Sequence, residues 1–232
     1  IWAFFATFTN YIGGMILALL INKKGIKFKG LWRTLFVITI AVPNFVTLLV
    51  MNQLLADQGT LNLTLKDWGL ISDSIPFLSD ANYARVVVIL VNMWIGVPYT
   101  MLSTSGILMN IPEDLYESAK IDGANAFQTF MKITLPYMLF VTTPYLISSF
   151  VGNINNFNVI FLLTGGEPKS TDYYSGAGKT DLLVTWLYKL TATNKDYNLA
   201  AVIGIIIFVI CAIASLITYN MSKSAKDEEA FG

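Results

Sequence analysis

The chain has 232 residues, of which 55% are hydrophobic and 13% charged, with equal numbers of acidic and basic side chains. Soluble domains carry about 25% charged residues, so this composition excludes an ordinary solvated surface, and zero net charge excludes a general attraction to nucleic acid. Cys211 is the only cysteine and histidine is absent, which excludes disulfides and histidine-based catalysis or metal binding within this sequence. We expect neither catalytic residues nor a metal site.

Five stretches of the chain contain no Asp, Glu, Lys or Arg and are long enough to cross about 30 Å of hydrocarbon. They predict an all-α, polytopic transmembrane helix bundle over residues 1–222, followed by a tail at 223–232. The fourth stretch exceeds one span, so we expect it to include an interfacial or pore-lining end. Because Ile1 lies inside an apolar run, we also expect further residues upstream. The stretches are residues 1–22, 34–56, 86–112, 133–166 and 197–222.

The distribution of lysine and arginine predicts the orientation in the cell membrane. The loop between the first two stretches holds five basic residues and no acid, which is typical of a cytoplasmic loop. By alternation, residues 57–85 and 167–196 lie outside the cell, whereas residues 110–136 and the tail lie inside. Lys120 and Lys132 in the 110–136 loop are accompanied by four acids, but acids count little in this rule. The basic residues of the first loop are Lys23, Lys24, Lys27, Lys29 and Arg33.

Three prolines, Pro43, Pro98 and Pro144, lie inside the predicted spans. Proline removes a backbone donor and kinks a helix. Two interpretations stay open. In one, the kinks are tolerated because neighbouring helices satisfy the freed carbonyl groups. In the other, the kinks open a cavity near the middle of the membrane.

Residues 176–180 read Gly-Ala-Gly-Lys-Thr and imitate the end of a phosphate-binding loop. The first glycine of that motif would stand at Tyr173, no buried strand is predicted before it, and the segment is predicted to lie outside the cell. We therefore expect no nucleotide site and no cofactor on this chain.

The segment from Pro112 to Pro136 is the most informative part of the sequence. Glu113 and Asp114 follow a proline, which is a good helix start because acids are favourable near the positive end of the helix dipole. Gly123 then interrupts the helical pattern. We predict two short helices joined at Gly123, outside the bilayer, with apolar faces that pack under the bundle or dock a partner.

This segment resembles the signature E-A-A-x3-G-x9-I-x-L-P of the permease subunits of ATP-binding-cassette (ABC) importers. One position departs, since Ser118 stands where alanine is usual. The resemblance implies that residues 110–136 form a coupling helix that fits a cleft in a separate ATPase subunit. ATP and Mg²⁺ would then be bound by that partner, and this chain would not be an enzyme. The coupling residues that it implies are Glu117, Ser118, Ala119, Asp122, Gly123, Ile133, Leu135 and Pro136.

Further segments, residues 91–99, 111–117, and 155–157 with 163–166, resemble the maltose-type (MalF-like) permeases of carbohydrate importers. This resemblance implies translocation of a neutral, maltose- or maltodextrin-like oligosaccharide by alternating access. It also implies protein partners, besides the lipid bilayer and the oligosaccharide. They are a second homologous permease subunit, two ATPase subunits and an extracytoplasmic solute-binding protein.

Sugars offer hydroxyl groups and C–H faces, so a sugar path requires amides, hydroxyls and aromatic rings without net charge. For any single asparagine, the alternative is a hydrogen bond between helices. The resemblance implies two departures from the family's solute contacts, because Ile40 replaces a tyrosine and Gly152 a phenylalanine. These departures imply a roomier pocket, suited to a longer glucan or another oligosaccharide. The solute contacts that it implies here are Asn44, Asn92, Ile95, Gly96, Tyr99 and Asn156.

Other function classes make different demands on the sequence. A proton- or sodium-coupled carrier usually has Asp, Glu or His within its spans, and none occurs in the middle of a span here. A membrane scaffold or receptor subunit would bind an ATPase but show no solute-dependent ATP turnover. An importer of an anion such as glycerol phosphate would need Arg or Lys along its path, and the predicted spans offer none.

Overall fold

The computed structural model describes residues 1–23, 25–171 and 176–221. Lys24 of the basic loop, Tyr173 and the predicted tail at 223–232 lie outside the described residues. Within the described ranges the secondary structure is helical, and the only β pairing is an isolated bridge between Lys169 and Gly178. The predicted all-α fold is therefore confirmed.

The helices follow one another along the chain with short connections, and a π-helical turn at Phe130–Thr134 joins two of them. Their bounds are α1 Trp2–Asn22, α2 Lys29–Ala41, α3 Asn44–Leu55, α4 Thr60–Asp67, α5 Ala81–Met109, α6 Glu113–Ile121, α7 Ala126–Thr129, α8 Leu135–Ile154, α9 Phe157–Leu163, α10 Leu183–Ala192 and α11 Tyr197–Met221.

Among the described residues, four helical stretches are long and apolar enough to cross a membrane: Trp2–Asn22, Ala81–Met109, Ala126–Ile154 and Tyr197–Ile217. They correspond to the first, third, fourth and fifth predicted spans. The second predicted span is not one straight helix. It corresponds to α2 followed by Asn44–Asp67, which are bent by 87° relative to each other, and it makes a fifth span only if the two halves are counted together.

Pro43 explains this break. Its ring disfavours helical backbone at the preceding residue, and Val42 is extended at φ −79° and ψ 125°. Pro43 itself has ψ 131° and precedes the first residue of α3. By contrast, Pro98 and Pro144 lie inside continuous helices, α5 and α8.

The centre of the bundle is the contact between α1 and α5, which run parallel. Asn10 lies against Gly96, and Asn22 of the same helix donates a hydrogen bond to Ser105. The two backbones come very close at Gly14, where an added Cβ would lie 2.5 Å from Cβ of Thr100. Small residues permit this approach, as is common between helices in membranes.

The helix α8 runs antiparallel to α1 and packs beside it. The hydroxyl oxygens of Tyr11 and Thr142 are 2.6 Å apart, and one turn earlier on α1 the Thr7 hydroxyl accepts a hydrogen bond from Asn153, nearer the end of α8. The bundle therefore has an α9 end, where α1 and α5 begin and α8 finishes, and an α6 end, where α1 and α5 finish.

An apolar cluster fixes the α9 end. Leu48 of α3, Val88 of α5 and Ile160 of α9 are all buried in it. Beyond this cluster, the carboxylate of Asp181 accepts hydrogen bonds of 2.7 Å from the Lys189 ammonium and from the Gly178 amide. These contacts tie the loop before α10 to the helix that follows it.

At the α6 end, the two predicted short helices take different forms. The first is α6, and Gly123 is the joint, as predicted. The second, α7, is the first turn of a helical stretch that runs on from Ala126 to Ile154. Because Pro136 has no N–H, the regular hydrogen-bond ladder is interrupted there. The Leu135 amide instead donates to Phe130 O, five residues back, and closes the π turn.

Candidate functional site

Four of the predicted solute contacts share one face of α5. Asn92, Ile95, Gly96 and Tyr99 stand at positions i, i+3, i+4 and i+7, which align along a helix. Asn92 is 6% exposed, and its Nδ2 atom has no hydrogen-bond partner among the described residues. Tyr99 is 55% exposed. The face therefore passes from a buried amide to an open aromatic ring within two turns.

Asn10 of α1 completes this face and was not predicted. Its amide packs directly on Gly96, where a Cβ would overlap the amide nitrogen. The Asn10 Oδ1 atom is buried and, like Nδ2 of Asn92, has no hydrogen-bond partner within the described residues. A buried polar atom left unpaired costs about 1–3 kcal/mol. Asn10 and Asn92 thus each carry such an atom, on two helices that pack against each other.

Asn156 belongs to a chain of hydrogen bonds that links three helices. Its Oδ1 accepts from the Val159 amide at 3.3 Å and so caps α9. Its Nδ2 donates to Oδ1 of Asn153 at 3.2 Å, and Nδ2 of Asn153 donates to the Thr7 hydroxyl at 3.1 Å. Thr7 and Asn10 are one turn apart on α1. This series of hydrogen bonds therefore lies next to the face of α5 that carries Asn92 and Gly96.

Further hydroxyl and aromatic groups continue the same strip toward the α6 end. The Tyr99 and Tyr145 rings lie 6.4 Å apart, and the Tyr145 hydroxyl is 3.2 Å from that of Thr100. We call the whole set the polar strip. It consists of amides, hydroxyls and aromatic rings between α1, α5, α8 and α9: Thr7, Asn10, Tyr11, Asn92, Gly96, Tyr99, Thr100, Thr142, Tyr145, Asn153 and Asn156.

The sequence contained a signal for the α1 members of the strip. Thr7, Asn10, Tyr11 and Gly14 recur at helical spacing within an otherwise apolar stretch. That spacing indicates a face turned toward other helices.

Asn44 stands apart from the polar strip. It is the exposed first residue of α3, directly after the bend, and no hydrogen bond joins its side chain to another described residue. Nearby Phe45 is exposed as well. An exposed amide in a membrane span does not face lipid, because an unpaired polar group is costly there. Asn44 thus lies on an exposed surface beside the bend, apart from the buried members of the polar strip.

Ile40 and Gly152, the two positions that depart from the solute contacts implied by the resemblance, both have open space beside them. Ile40, near the end of α2, is 36% exposed. Gly152 of α8 is exposed, and a Cβ added there would meet nothing within 4 Å. A larger side chain at Gly152 would thus project into open space.

The predicted coupling segment has a well-defined glycine joint. Gly123 has φ +76°, which glycine adopts without strain. Its amide donates to Lys120 O at 3.1 Å, and the next amide, of Ala124, donates to Ala119 O at 2.9 Å. This is the Schellman pattern that ends a helix. Asn125 then caps α7 reciprocally with Gln128.

The structure brings most of the predicted coupling residues to one groove. The groove has a cavity volume of about 510 Å³, and the predicted residues among those lining it are Ser118, Ala119, Asp122, Gly123 and Ile133. Glu117 lies on the other flank of α6, in a cavity of about 650 Å³ that Asn22 and Lys120 also line. Leu135 and Pro136 line neither cavity and instead belong to the start of α8.

Two exposed apolar residues flank the glycine joint and were not predicted individually. Ile121 is 86% exposed and Phe127 is 71% exposed. They could have been found from the sequence, because they are the large apolar residues on either side of Gly123 in a loop expected outside the bilayer. Together with the groove they form a surface that is suited to a protein partner.

Comparison with known families decides the identity of this arrangement. Residues 10–227 match the model of the family described as binding-protein-dependent transport system inner membrane component. The chain belongs to this family. Its helices are therefore those of an inner-membrane protein, and the polar strip and the glycine-jointed segment are parts of a transport-system component.

Similar proteins include two sugar permeases. The chain is 40% identical, over 98% of its length, to the galactooligosaccharides transport system permease protein GanP of Bacillus subtilis, of which it covers 54%. It is 37% identical, over 95% of its length, to the maltodextrin transport system permease protein MalC of Streptococcus pneumoniae, of which it covers 52%. The chain thus spans about half the length of these relatives.

The fold also matches a solved structure. A chain in the crystal structure of a bacterial alginate ABC transporter, in complex with a periplasmic protein bound to an alginate pentasaccharide, superposes with a TM-score of 0.79. The match covers 95% of this chain and 74% of that one at 21% identity. At that identity the likeness concerns the fold alone.

Proposed function

We propose that this chain is part of the permease subunit of an ABC importer that translocates a neutral oligosaccharide by alternating access. The observation that carries the proposal is the polar strip. Asn10 and Asn92 each keep a buried amide atom without a partner among the described residues. Solute hydroxyl groups can donate to an amide oxygen such as Oδ1 of Asn10 and accept from an amide nitrogen such as Nδ2 of Asn92, and so remove both costs.

The chemistry of the strip favours a sugar over an ion. Its members are amides, hydroxyls and aromatic rings, which bind hydroxyl groups and the C–H faces of a pyranose. An anionic solute would instead require a cationic partner such as arginine. The names of the two similar permeases, for galactooligosaccharides and for maltodextrin, support the same class of substrate. We propose an oligosaccharide of this class and leave the choice between the two sugars to the experiment below.

The energy for transport would come from two partner ATPase subunits that bind ATP and Mg²⁺. The 110–136 segment would dock on them through the groove at Gly123, with Ile121 and Phe127 as apolar anchors. Glu117 and Asp122, both exposed, would make the polar contacts. This proposal requires the α6 end and the 223–232 tail to be cytoplasmic, as the basic loop indicates.

A second, homologous permease subunit would complete the path. Asn44 and Tyr99 are exposed polar groups in membrane helices, and both need a surface other than lipid. An extracytoplasmic solute-binding protein would deliver the sugar at the α9 end, through the loops at 57–80 and 164–182.

The experiment is ATP hydrolysis by the complete reconstituted complex, measured with the binding protein over a panel of sugars. We expect stimulation by a maltodextrin or a galactooligosaccharide, and none by glycerol phosphate. Vesicle uptake of the radiolabelled sugar must require ATP. Uptake driven by a sodium or proton gradient without ATP, or ATP turnover that no solute changes, would contradict the proposal and favour the carrier or the scaffold.

A further inference from the structure

One side of α2 is apolar and exposed. Phe28, directly before the helix, is 77% exposed, and its carbonyl oxygen accepts a hydrogen bond from the Trp32 amide one turn later. The exposed apolar residues that continue this side at helical spacing are Leu31, Trp32, Leu35 and Ile38. Together with Phe28 we call them the α2 stripe. The stripe extends about 15 Å along the axis, which matches the hydrocarbon of one membrane leaflet.

The opposite side of α2 is held by the rest of the bundle. Phe36 packs against the buried cluster that contains Met101 of α5. One turn before Phe36, the Arg33 guanidinium donates to Oδ1 of Asn22 at 3.3 Å, and the Lys29 ammonium donates to the Asn22 carbonyl oxygen at 3.1 Å. The α2 stripe therefore points away from α1 and α5.

Positive charge lies at the α6 end of the stripe. Because α1 finishes at Asn22 and α2 begins at Lys29, the loop between these two apolar helices lies at a membrane boundary. Lys23 and Lys27 in this loop are exposed, and no carboxylate of a described residue forms an ion pair with either. Lys29 and Arg33 hydrogen-bond to neutral groups of Asn22, so their charges are not neutralised there.

Two acids approach this end of the bundle from α6. Glu113 and Glu117 line a cavity that Asn22 and Lys120 also line. Within the described part of the chain, neither acid forms an ion pair with the four basic residues of the preceding paragraph. Lys120 adds a further positive charge, so basic side chains outnumber acidic ones at this end of the stripe.

We propose that the α2 stripe and the loop before it bind an anionic phospholipid. The headgroup lies at Lys23 and Lys27, and the acyl chains follow the stripe, with the rings of Phe28 and Trp32 at the headgroup level. Basic residues beside a membrane attract anionic lipids, and aromatic rings favour this depth. A second protein is the alternative occupant, but the stripe contains no polar group for it to pair with. The inference goes beyond the proposed function and requires neither sugar nor ATP.

The test is photocrosslinking of the full-length protein, with the subunits that copurify with it, in nanodiscs. The nanodiscs contain equal amounts of phosphatidylglycerol and phosphatidylcholine, each with a different radiolabel. Phe28 is replaced by p-benzoylphenylalanine, and the two labels on the protein are counted after irradiation. We expect about ten-fold more phosphatidylglycerol, because each nearby Lys or Arg favours an anionic lipid by about five-fold before screening by salt.

Two changes should remove most of this preference. Lys23→Gln together with Lys27→Gln should lower it to about two-fold, and packing is preserved because both side chains are exposed. Raising the salt to about 1 M should act in the same way on the protein with both lysines, since charges are then screened within about 3 Å. Inorganic phosphate should have no more effect than chloride at equal ionic strength. A larger effect of phosphate would assign the site to a free anion and refute lipid binding.

Two matched controls test the location. Phe208 of α11 is 72% exposed and lies in a span without charged residues, so p-benzoylphenylalanine at Phe208 should crosslink both lipids equally. Lys66→Gln removes an exposed lysine of α4, at the α9 end, and should leave the ratio at Phe28 unchanged.

The outcomes separate this inference from the proposed function. Equal labelling by the two lipids at Phe28 refutes the lipid site, whether or not the complex transports sugar. Crosslinking of Phe28 to a second permease subunit or to an ATPase in place of lipid also refutes it, and assigns the stripe to a protein interface. A complex that shows the lipid preference but imports no sugar refutes the proposed function alone.

Discussion

In the α1–α5 pair the backbones approach so closely at Gly14 that a single added carbon would meet Thr100. In α6, by contrast, no residue is buried, and its middle reaches the neighbouring span through a hydrogen bond between the hydroxyls of Tyr116 and Thr134. The first region has little freedom left and carries the polar strip. The second leaves Ile121 open, and Phe127 of α7, just beyond the glycine joint, is open as well. The difference indicates which region is closely packed within this chain and which one leaves large apolar side chains uncovered.

The largest expected effect comes from a substitution that forces α1 and α5 apart. In Gly14→Leu the new side chain would meet Thr100 and the Met101 backbone, which lie 2.5 and 2.7 Å from the Cβ position. Overpacking costs about 1–3 kcal/mol or more, so we expect loss of monodisperse protein in detergent. Gly106→Leu is the matched control, because a Cβ at Gly106 of α5 meets nothing within 4 Å. Equal behaviour of the two variants would contradict the close α1–α5 contact.

The next effect concerns the glycine joint. Gly123→Pro cannot adopt φ +76° and lacks the N–H that donates to Lys120 O. We expect sugar-stimulated ATP hydrolysis to fall about a hundred-fold or more, as when a docking surface is misplaced, while membrane insertion stays normal. Gly123→Asn should retain most activity because asparagine tolerates left-handed backbone. Stimulated hydrolysis at the normal level in Gly123→Pro would remove the joint from the coupling path.

A smaller effect is expected at the open apolar side chains. Ile121→Asp or Phe127→Asp should weaken copurification of the ATPase by about ten-fold or more, since buried anchors dominate interface energies. Leu70→Asp changes a residue of similar exposure in the loop between α4 and α5, at the α9 end, and should not alter copurification. Should all three variants bind the ATPase equally well, the docking surface lies elsewhere.

The smallest expected effect concerns the unpaired amide oxygen of Asn10 in the polar strip. Asn10→Leu removes a buried oxygen that has no partner among the described residues, so we expect the free energy of unfolding, measured in detergent, to rise by about 1–3 kcal/mol. Sugar transport should fall in the same variant. Asn153→Leu is the opposite case, because both ends of its amide are hydrogen-bonded, and it should destabilise the fold. A destabilised Asn10→Leu would mean that the Asn10 amide serves packing.

Much of this arrangement could be predicted from the sequence, and the reasons for the remainder are physical. Charge-free length is enough to find a span, so four of the five predicted spans are single helical stretches. Length cannot tell a straight helix from one that Pro43 breaks, since Pro98 and Pro144 lie within helices that continue. The outcome depends on how neighbouring helices satisfy the freed backbone groups.

The candidate site, like the fold, could be predicted only in part from the sequence. A motif at fixed spacing was enough to find Gly123 and four other residues that line its groove. Asn10 was missed because its importance lies in its contact with Gly96, which is 86 positions away in sequence and arises only from the parallel packing of α1 on α5. The bond between Tyr116 and Thr134 likewise depends on the turn at Gly123, which returns α6 toward α8.

The π turn at Phe130–Thr134 has a consequence for how such a chain can change over evolution. A π turn holds one more residue than an α turn, and each residue of an α-helix advances by about 100° around the axis. Loss of a single residue here would leave the span nearly as apolar and would leave the sequence around Gly123 unchanged. It would nevertheless rotate Phe127 by about 100° around the helix axis relative to α8, so that this exposed side chain would point in a different direction.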